Sequence, residues 1–248
     1  MGRDDNVRER LRGRVALVTG ASSGIGRAVA LRVGEADATV IAVGRDAGRL
    51  ERVAEEAGDA TRVRGVVCDL TDEAQIRELA DRTAADPGTL DILVHCAGTI
   101  EFGTVTDTGV DQLARVVRTN LLAPYALTHA VLPLLERSRG DIVFVNSSAG
   151  IRSSAGVAAY GAAKHGLRGL ADALRDEVNP LGIRVTSIYP GRTRTPMQVA
   201  VLQWEGREEP AERLLDPDDI ATVVLAILAL PRTAEVTDLH IRPARPPA

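Results

Sequence analysis

Aromatic residues are scarce in this 248-residue chain, where Trp, Tyr and Phe together make up 2 %. Proteins that bind single-stranded nucleic acid stack bases on aromatic side chains, so this scarcity argues against such a platform. There is no excess of positive charge either, because 34 Asp and Glu outnumber 30 Lys and Arg, leaving a net charge of −4. We therefore expect neither a nucleic-acid partner nor a membrane partner.

Cysteines and long apolar runs are also few. The two cysteines, Cys68 and Cys96, cannot form a disulfide framework, and since both lie in apolar runs we interpret them as buried thiols of a reducing compartment. The longest apolar run, from Ile220 to Leu230, is too short to span a bilayer and is typical of a core helix. The charge-rich segment from Met1 to Leu11 contains no secretory signal. The cytoplasm is the expected location, and no metal site is expected.

Short β-branched runs alternate with longer helical stretches along the chain. The predicted strands are Val15–Val18, Thr39–Val43, Val63–Val67, Ile92–His95, Ile142–Asn146, Ile183–Ile188 and Leu239–Arg242. The predicted helices are Arg27–Val33, Ala47–Ala57, Glu73–Ala84, Asp111–Glu136 and Tyr160–Asn179. This alternation predicts an α/β fold, a single Rossmann-type doubly wound parallel sheet with helices on both faces. We expect one domain over residues 14–242, a charged N-terminal extension over 1–13 and a flexible tail over 243–248.

A glycine-rich loop follows the first predicted strand, in the segment from Thr19 to Gly26. Glycines at such a turn let backbone N–H groups approach a pyrophosphate at the N-terminus of the next helix. Any turn from strand to helix favours glycine, so the loop alone is a weak signal. Its place at the start of a strand-helix-strand unit favours a dinucleotide. The loop residues expected to bind it are Gly20, Ser22, Ser23, Gly24, Ile25 and Gly26.

The end of the second predicted strand indicates which dinucleotide binds. An NAD site places a carboxylate about 18–20 residues beyond the glycines. Here the strand ends in Arg45, which suits a 2′-phosphate, and the first acid is Asp46. NADP(H) is therefore favoured over NAD(H), with a solvated Arg45 as the alternative. Asp69, before Leu70, either accepts a hydrogen bond from the adenine amine or caps the helix that follows.

The only lysine, Lys164, follows Tyr160 by four residues, so on a helix the two side chains share one face. All other basic residues are Arg, whose planar fork differs from a compact ammonium with an adaptable pKa. A phenol with a pKa of about 10 is a poor base at neutral pH, and a neighbouring ammonium lowers that pKa. The pair predicts a general acid and base, Tyr160, tuned by Lys164. A leftover lysine on a solvated surface is the alternative.

Asn120 lies in the predicted helix Asp111–Glu136, four residues before Pro124. Because proline has no N–H, the carbonyl of Asn120 loses its helical donor and we expect a kink there. The released carbonyl is then able to bind a water. A proline kink without function is the alternative.

Together these residues resemble the short-chain dehydrogenase/reductase family over nearly the whole chain, from about Arg14 to Arg242. The matching elements, in family order and spacing, are Thr19-Gly20-x-x-x-Gly24-x-Gly26, Asp69, Ala97-Gly98, Asn120, Ser147, Tyr160-x-x-x-Lys164 and Pro190-Gly191. The resemblance implies that the catalytic residues are Asn120, Ser147, Tyr160 and Lys164, with Ser148 as a minor alternative to Ser147. It also implies that the cofactor binds the glycine-loop residues and Arg45, Asp69, Leu70, Ala97, Gly98, Tyr160, Lys164, Pro190, Gly191, Thr193 and Thr195.

The roles implied by the resemblance are those of a hydride-transfer site. Ser147 holds the substrate oxygen, Lys164 bonds to the nicotinamide ribose, and Asn120 holds a water that relays protons to Lys164. The implied function is an NADP(H)-dependent oxidoreductase, a carbonyl reductase or alcohol dehydrogenase acting on a small ketone, hydroxy acid or related secondary alcohol. A non-enzymatic NADP(H)-binding sensor or regulatory protein on the same scaffold is the alternative.

The resemblance also implies a homodimer or homotetramer, because the family helices that match Asp111–Glu136 and Tyr160–Asn179 pack between subunits. From periodicity alone, their apolar stripes can equally face the chain's own sheet. The stripe on the second helix includes Leu167, Leu170, Leu174 and Val178.

One motif departs from the family. Members usually carry Asn-Asn-Ala-Gly after the fourth strand, where this chain has His95-Cys96-Ala97-Gly98. We interpret His95 as a structural substitute. The substrate pocket is expected to lie between Gly98–Thr108, Ala149–Ala159 and a lid over Met197–Glu209. Arg192 and Arg194 either pair with a substrate carboxylate or are ordinary exposed residues.

Overall fold

Seven parallel strands form one sheet in the order β3-β2-β1-β4-β5-β6-β7. The computed structural model describes residues 3–58, 62–208, 210 and 213–245. The strands are β1 (Val15–Thr19), β2 (Thr39–Gly44), β3 (Val63–Val67), β4 (Ile92–His95), β5 (Asp141–Val145), β6 (Arg184–Pro190) and β7 (Asp238–Ile241). The chain runs outward from β1 to β3, returns to place β4 beside β1, and continues to β7. This order confirms the predicted doubly wound parallel sheet.

Helices cover both faces of the sheet. They are α1 (Arg3–Leu11), α2 (Gly24–Glu35), α3 (Ala47–Glu56), α4 (Glu73–Ala85), α5 (Val110–Val117), α6 (Ala123–Ser138), α7 (Ala158–Val178), α8 (Pro196–Glu205) and α9 (Pro217–Leu228). Strand and helix bounds mostly shift by one to three residues from the predicted ones. One shift matters for the site: Asn146, predicted as the end of a strand, lies beyond β5.

Successive side chains of each strand point to opposite faces of the sheet, and they form two separate hydrophobic cores, one on each face. On β1, Ala16 and Val18 join the core that α2 and α9 cover. Val15 and Leu17 join the core on the opposite face, which α4, α6 and α7 cover. Burial on both faces explains why the strands are continuously apolar, and it leaves the ends of the strands as the place for polar chemistry.

The N-terminal helix α1 was not predicted from the sequence, because its composition is mostly charged. Its last residue, Leu11, is nevertheless fully buried in the core beneath α2 and α9. Arg8 donates to the carboxylate of Asp37 at 2.5 and 3.1 Å, which fixes the helix to the turn before β2. The boundaries of the domain at residues 14 and 242 stay predictions, and parts of both predicted termini, residues 1–2 and 246–248, lie outside the described residues.

The predicted helix Asp111–Glu136 is interrupted. Between α5 and α6, residues Arg118–Leu122 form a π-helical turn in which the N–H of Ala123 donates to the carbonyl of Arg118, five residues earlier. Pro124 has no N–H to donate to Asn120, so the ordinary helical bond is absent there. The expected kink thus takes the form of a widened turn, a feature often found at functional sites.

The apolar stripe of α7 faces the chain's own sheet. Leu167, Leu174 and Val178 are buried in the core shared with α6, and Leu170 packs against its margin. Of the two interpretations of this stripe, packing within the chain is therefore the correct one. Within the described ranges, no helix combines the length and apolar character needed to cross a bilayer. The cytoplasmic location stays a prediction.

Candidate active site

The carboxyl ends of the strands open into one cleft of about 1100 Å³. The neighbouring strands β1 and β4 lead the chain to opposite sides of the sheet, which is where ligands bind in such folds. Ser147, Tyr160 and Lys164 all line this cleft, as does the alternative Ser148. So does every predicted cofactor residue: Gly20, Ser22, Ser23, Gly24, Ile25, Gly26, Arg45, Asp69, Leu70, Ala97, Gly98, Pro190, Gly191, Thr193 and Thr195.

The glycine loop is packed tightly against the loop that follows β4. Gly20 has a φ of +65°, and a Cβ on it would lie 2.8 Å from the nitrogen of Ala97. A Cβ on Gly26 would lie 2.4 Å from the carbonyl oxygen of Gly20. The hydroxyl of Thr19 accepts from the N–H groups of Cys96 and Ala97, each at 3.1 Å. Thr19 therefore joins the two loops that form the floor of the cleft, a role that the sequence did not reveal.

The start of α2 is left open toward the cleft. Its N-cap, Ser23, has extended backbone angles and makes no side-chain capping bond. By contrast α3, α4, α8 and α9 are capped by the side chains of Asp46, Asp72, Thr195 and Asp216. The first N–H groups of α2, near Gly24 and Ile25, thus have no side-chain acceptor. They lie at the positive end of the helix dipole. This arrangement suits an anion such as a pyrophosphate.

Two arginines mark one end of the cleft. Arg45 follows β2, is exposed and lines the cleft as predicted. Arg49, one turn along α3, lines it too and was missed in the sequence. The Nε of Arg49 lies 3.3 Å from the carboxylate of Asp46, so Arg49 is partly neutralised. Arg45 is therefore the better placed of the two to meet an added phosphate.

Asp69 lies beside these arginines but does not cap a helix. Its Oδ1 accepts from the N–H and the hydroxyl of Thr71, at 2.9 and 2.8 Å. These two bonds hold the pKa of Asp69 below its usual value, and Arg45 adds to the effect. The cap of α4 is Asp72, whose carboxylate accepts from Ala74 and Gln75. The alternative role of Asp69 as a helix cap is thus wrong, and its carboxylate remains ionised at the cleft.

Ser147, Tyr160 and Lys164 form the opposite wall. Ser147 follows β5, and its hydroxyl oxygen accepts from the N–H of Ala149 at 3.1 Å. Tyr160 and Lys164 lie one turn apart on α7 and are both buried. The ammonium of Lys164 donates to the carbonyl of Val145 at 3.1 Å and lies 5.8 Å from the centroid of the Tyr160 ring. The lone lysine is therefore not a surface residue.

Burial has the largest effect on the pKa values of Lys164 and Tyr160. It lowers the pKa of Lys164 from 10.5 to about 8, because an ammonium loses hydration in the wall. It also raises the pKa of Tyr160, partly offset by a hydrogen bond with Ser147. The ammonium itself bonds to Val145, and the expectation that Lys164 lowers the pKa of the phenol stays a prediction.

Asn120 is fully buried behind the wall rather than on it. Its side-chain amide donates to the carbonyls of Thr99 and Val116, at 2.8 and 2.9 Å, and accepts from the N–H of Thr99 at 3.2 Å. A Cβ on Gly98 would lie 2.8 Å from the Asn120 oxygen and 4.0 Å from Nζ of Lys164. The side chain of Asn120 thus holds the loop after β4 next to Lys164. The water relay through its carbonyl stays a prediction.

His95 and Cys96 replace the usual two asparagines in different ways. The ring of His95 stacks on Phe144 with centroids 4.9 Å apart, and its Nε2 shares a 2.9 Å hydrogen bond with the hydroxyl of Thr128. Burial, assisted by Lys164, lowers the pKa of His95 to about 3, so the ring is neutral and braces β4 against β5 and α6. Both cysteines line the cleft, Cys96 as a half-buried residue and Cys68 as a buried one, as expected.

Two buried amides on the cleft lack partners for one polar atom each, and neither was predicted. Asn146 donates to the carbonyl of Lys164 at 3.2 Å, while its Oδ1 has no partner among the described residues. Gln198, on α8, has an Nε2 with no partner in the same set. Buried polar groups are rarely left unpaired, so these atoms indicate where a ligand or water completes the site.

The predicted lid is helix α8, whose far end rests on two loops. The ring of Trp204 stacks on Phe102, with centroids 5.1 Å apart. Its edge also lies against Gly156, where a Cβ would approach Cη2 to 2.2 Å. Trp204 therefore clamps the lid to both loops predicted to shape the pocket. The helix ends at Glu205, and Glu209, the predicted end of the lid, lies outside the described residues.

An ion pair holds the same end of the lid. Arg192, in the loop after β6, donates to both carboxylate oxygens of Glu205 at 2.8 and 2.7 Å. Both residues line the cleft. Arg194 instead points away and pairs with Asp216. Of the two arginines considered for a substrate carboxylate, only Arg192 reaches the cleft, and it is already paired.

Comparison with known proteins identifies the family. Residues 14–206 match the family described as short chain dehydrogenase. The chain belongs to the short-chain dehydrogenase/reductase family. It is 34 % identical to an uncharacterized short-chain type dehydrogenase/reductase of Sinorhizobium fredii, covering 92 % of this chain and 91 % of that protein. The chain is an oxidoreductase acting on CH–OH groups, and the comparisons do not favour the non-enzymatic alternative.

Two solved structures of this family resemble the fold closely. An alcohol dehydrogenase from the archaeon Thermococcus sibiricus, complexed with 5-hydroxy-NADP, has a TM-score of 0.85 and 26 % identity and covers 94 % of this chain and 97 % of its own. A variant of actinorhodin polyketide ketoreductase with NADPH has a TM-score of 0.86 and 29 % identity and covers 98 % of both chains.

Proposed function

We propose that this protein is an NADP(H)-dependent carbonyl reductase or alcohol dehydrogenase that uses Tyr160 as its general acid and base. The observation that carries the proposal is the single cleft in which Ser147, Tyr160 and Lys164 face the uncapped start of α2. The structural relatives that hold NADPH or an NADP derivative support the choice of cofactor.

The cleft suits NADP(H) in three places. The open N–H groups of α2 near Gly24 would hold the pyrophosphate. Arg45, exposed and without a carboxylate within ion-pair distance among the described residues, would meet the 2′-phosphate. The unpartnered Nε2 of Gln198 would donate to an oxygen of the cofactor or of a water beside it. When bound, the nicotinamide supplies or accepts the hydride.

The protein groups supply the proton and hold the substrate oxygen. Because burial raises the pKa of Tyr160, the phenol stays protonated at neutral pH and serves as the acid in carbonyl reduction. Ser147 accepts from the N–H of Ala149 and shares a hydrogen bond with Tyr160, and its hydroxyl would turn to donate to the substrate carbonyl when the substrate binds. Lys164, with a pKa of about 8, keeps a positive charge beside the site at pH 7 and stabilises negative charge that develops there.

The test is the oxidation of NADPH and, separately, NADH with a panel of ketones, aldehydes and β-keto esters, for wild type, Tyr160→Phe and Arg45→Ala. We expect faster turnover with NADPH and a loss of about 10²–10⁴-fold in Tyr160→Phe, because the proton donor is removed. Arg45→Ala should raise the KM for NADPH roughly tenfold or more and leave that for NADH nearly unchanged. Full activity in Tyr160→Phe contradicts the acid role, and faster turnover with NADH contradicts the cofactor choice.

We also propose that the protein forms a homodimer or homotetramer. The support is an apolar surface on α5, the π-helical turn and the start of α6, where Leu113, Leu122 and Tyr125 are exposed by 41, 52 and 58 %. Leu122→Glu with Tyr125→Glu should lower the mass measured by light scattering, from a dimer to one chain or from a tetramer to a dimer or one chain. A mass of one chain for the wild type contradicts this proposal.

A further inference from the structure

The substrate end of the cleft is mostly apolar. It lies between the loop after β4, the loop before α7 and the lid α8. The apolar side chains that line it are Ile100, Phe102, Ala149, Val157, Met197, Val201 and Trp204. Such a wall stabilises the apolar body of a substrate by removing it from water.

Two of the charges beside this wall are matched to each other. Arg192 and Glu205 form a two-point ion pair at 2.7 and 2.8 Å, and their side chains are only 24 and 22 % exposed. A carboxylate binds a guanidinium in the same two-point geometry, so Glu205 occupies the position that a substrate carboxylate would take on Arg192. An acidic substrate at this end would gain no cation there and would lie near the negative charge of Glu205.

A second pair on the facing wall is matched in the same way but is more exposed. Arg115 donates to both carboxylate oxygens of Glu101 at 3.1 and 2.8 Å. The side chain of Arg115 is 60 % exposed. Water therefore screens this pair, and it has less influence on a ligand in the cleft than the pair of the lid.

We propose that the site selects uncharged ketones and their secondary alcohols, and that Glu205, by holding Arg192, rejects substrates that carry a carboxylate. This inference rests on the proposed function and narrows it, since hydroxy acids were among the expected substrates. Specificity of this kind comes from a feature that penalises the wrong ligand, here a cation already occupied by Glu205, rather than from added contacts to the right one. Glu205 is in this sense a specificity residue and not a catalytic one.

One other cation on the cleft supports the opposite hypothesis, that the enzyme accepts acidic substrates. Arg118, exposed on the π-helical turn, lines the cleft and has no carboxylate within ion-pair distance in the described part of the chain. Arg45 is similar, but it lies at the end formed by β2 and α3, beyond the glycine loop. If the enzyme accepts acids, Arg118 is the residue that would hold them.

The experiment compares matched substrates that differ only in charge. NADPH-dependent kcat/KM is measured at pH 7 for three β-keto methyl esters of increasing length, including methyl acetoacetate, and for the free acids. The enzymes are wild type, Glu205→Gln, Glu101→Gln and Arg118→Gln. We expect the wild type to favour each ester over its acid by about 100-fold. Glu205→Gln, which frees Arg192, should reduce that ratio by about tenfold or more, and Glu101→Gln should leave it unchanged.

Each other outcome is informative. A wild type that turns over acids as fast as esters overturns the inference while the proposed function stands, and a loss confined to acids in Arg118→Gln then assigns that role to Arg118. Equal losses for esters and acids in Glu205→Gln overturn it too, because the pair then only holds the lid. A wild type that reduces no ester and does not bind NADPH in calorimetry removes the proposed function and this inference together.

Discussion

The two ends of the sheet bury charge in opposite ways. At the amino-terminal end, Asp141 at the start of β5 is almost fully buried and accepts from three guanidiniums, those of Arg14, Arg184 and Arg232, at 2.6, 2.6 and 3.1 Å. Further N–H groups of Arg184 donate to the carbonyls of residues 230, 231 and 234. One carboxylate thus ties the starts of three strands to the segment that leads into β7.

At the carboxyl end some of the buried polar groups are left incomplete. Lys164 has one backbone acceptor, and no carboxylate lies within ion-pair distance of it in the described ranges. Asn146 and Gln198 each keep one unpaired polar atom. The carboxyl end also carries ion pairs, Arg192–Glu205 and Arg115–Glu101, but the buried groups there that lack a counter-charge or a hydrogen-bond partner lie where a ligand would complete them. Substitutions at the first end should therefore change stability, and those at the second should change activity.

The largest expected effect comes from Lys164→Met. Activity should fall by about 10²–10⁴-fold, because the charge beside the phenol is lost. Stability at pH 7 should not fall, since the lowered pKa of Lys164 means that its burial in charged form costs of the order of 3 kcal/mol. Urea unfolding followed by circular dichroism measures the second effect.

The pH dependence of that stability difference has a definite sign. A lysine whose native pKa is lowered destabilises the native state fully below the native value and not at all above the unfolded value. The advantage of Lys164→Met should thus be constant below pH 8 and should vanish as the pH rises from about 8 to 10.5. If Lys164→Met unfolds at a lower urea concentration than wild type at pH 7, the buried charge of Lys164 does not destabilise the native state.

Asp141→Asn should have the next largest effect, and on stability alone. Removing the carboxylate leaves buried guanidiniums without their counter-charge, which costs about 3–5 kcal/mol. The kcat of the folded enzyme should stay the same, because the residue lies at the opposite end of β5 from Ser147. Urea denaturation together with turnover at low temperature checks both parts.

A matched control exists for this variant. Asp37 also faces three arginines, Arg8, Arg12 and Arg62, but they lie at the surface. Hydrogen bonds from Arg8 and Arg62 lower the pKa of Asp37 to about 2. Its φ is +64°, a conformation that Asn tolerates. Asp37→Asn should therefore lower the unfolding midpoint clearly less than Asp141→Asn. Equal shifts in the two variants indicate that burial is not what makes the Asp141 cluster important.

A smaller effect is expected from pH acting on the intact site. The kcat/KM for NADPH reports groups of the free enzyme, so it should decline above about pH 8 as Lys164 loses its proton, by about tenfold per pH unit. Lys164→Arg, though slower, should show no decline there, because a guanidinium does not titrate in this range. A decline at the same pH in both enzymes assigns it to another group.

The sequence predicted the catalytic wall better than the lid. Strand and helix periods are local, so Val63–Val67 and Ile92–His95 were predicted with the bounds observed, and the spacing of Tyr160 and Lys164 placed both on one helix face. The contact between Trp204 and Phe102 depends on two loop conformations that no period encodes. The Asp141 cluster was missed for a related reason. Its arginines are far apart in the sequence, and in a chain where almost every cation is Arg none of them stands out.

The smallest effect we predict tests what decides whether a substitution changes activity: the pairing of the residue's polar groups or its position near the cleft. Asp216 lies at the carboxyl side, next to the cleft loop through Arg194, but its polar groups are satisfied by a capping box with Asp219 at the start of α9. Asp216→Ala should cost about 0.5–2 kcal/mol of stability and leave kcat unchanged, as the loss of a helix cap does elsewhere. Urea unfolding and steady-state kinetics on one preparation measure both. If kcat falls instead, position near the cleft matters more than pairing, and the two ends of the sheet differ in their effect on activity by location alone.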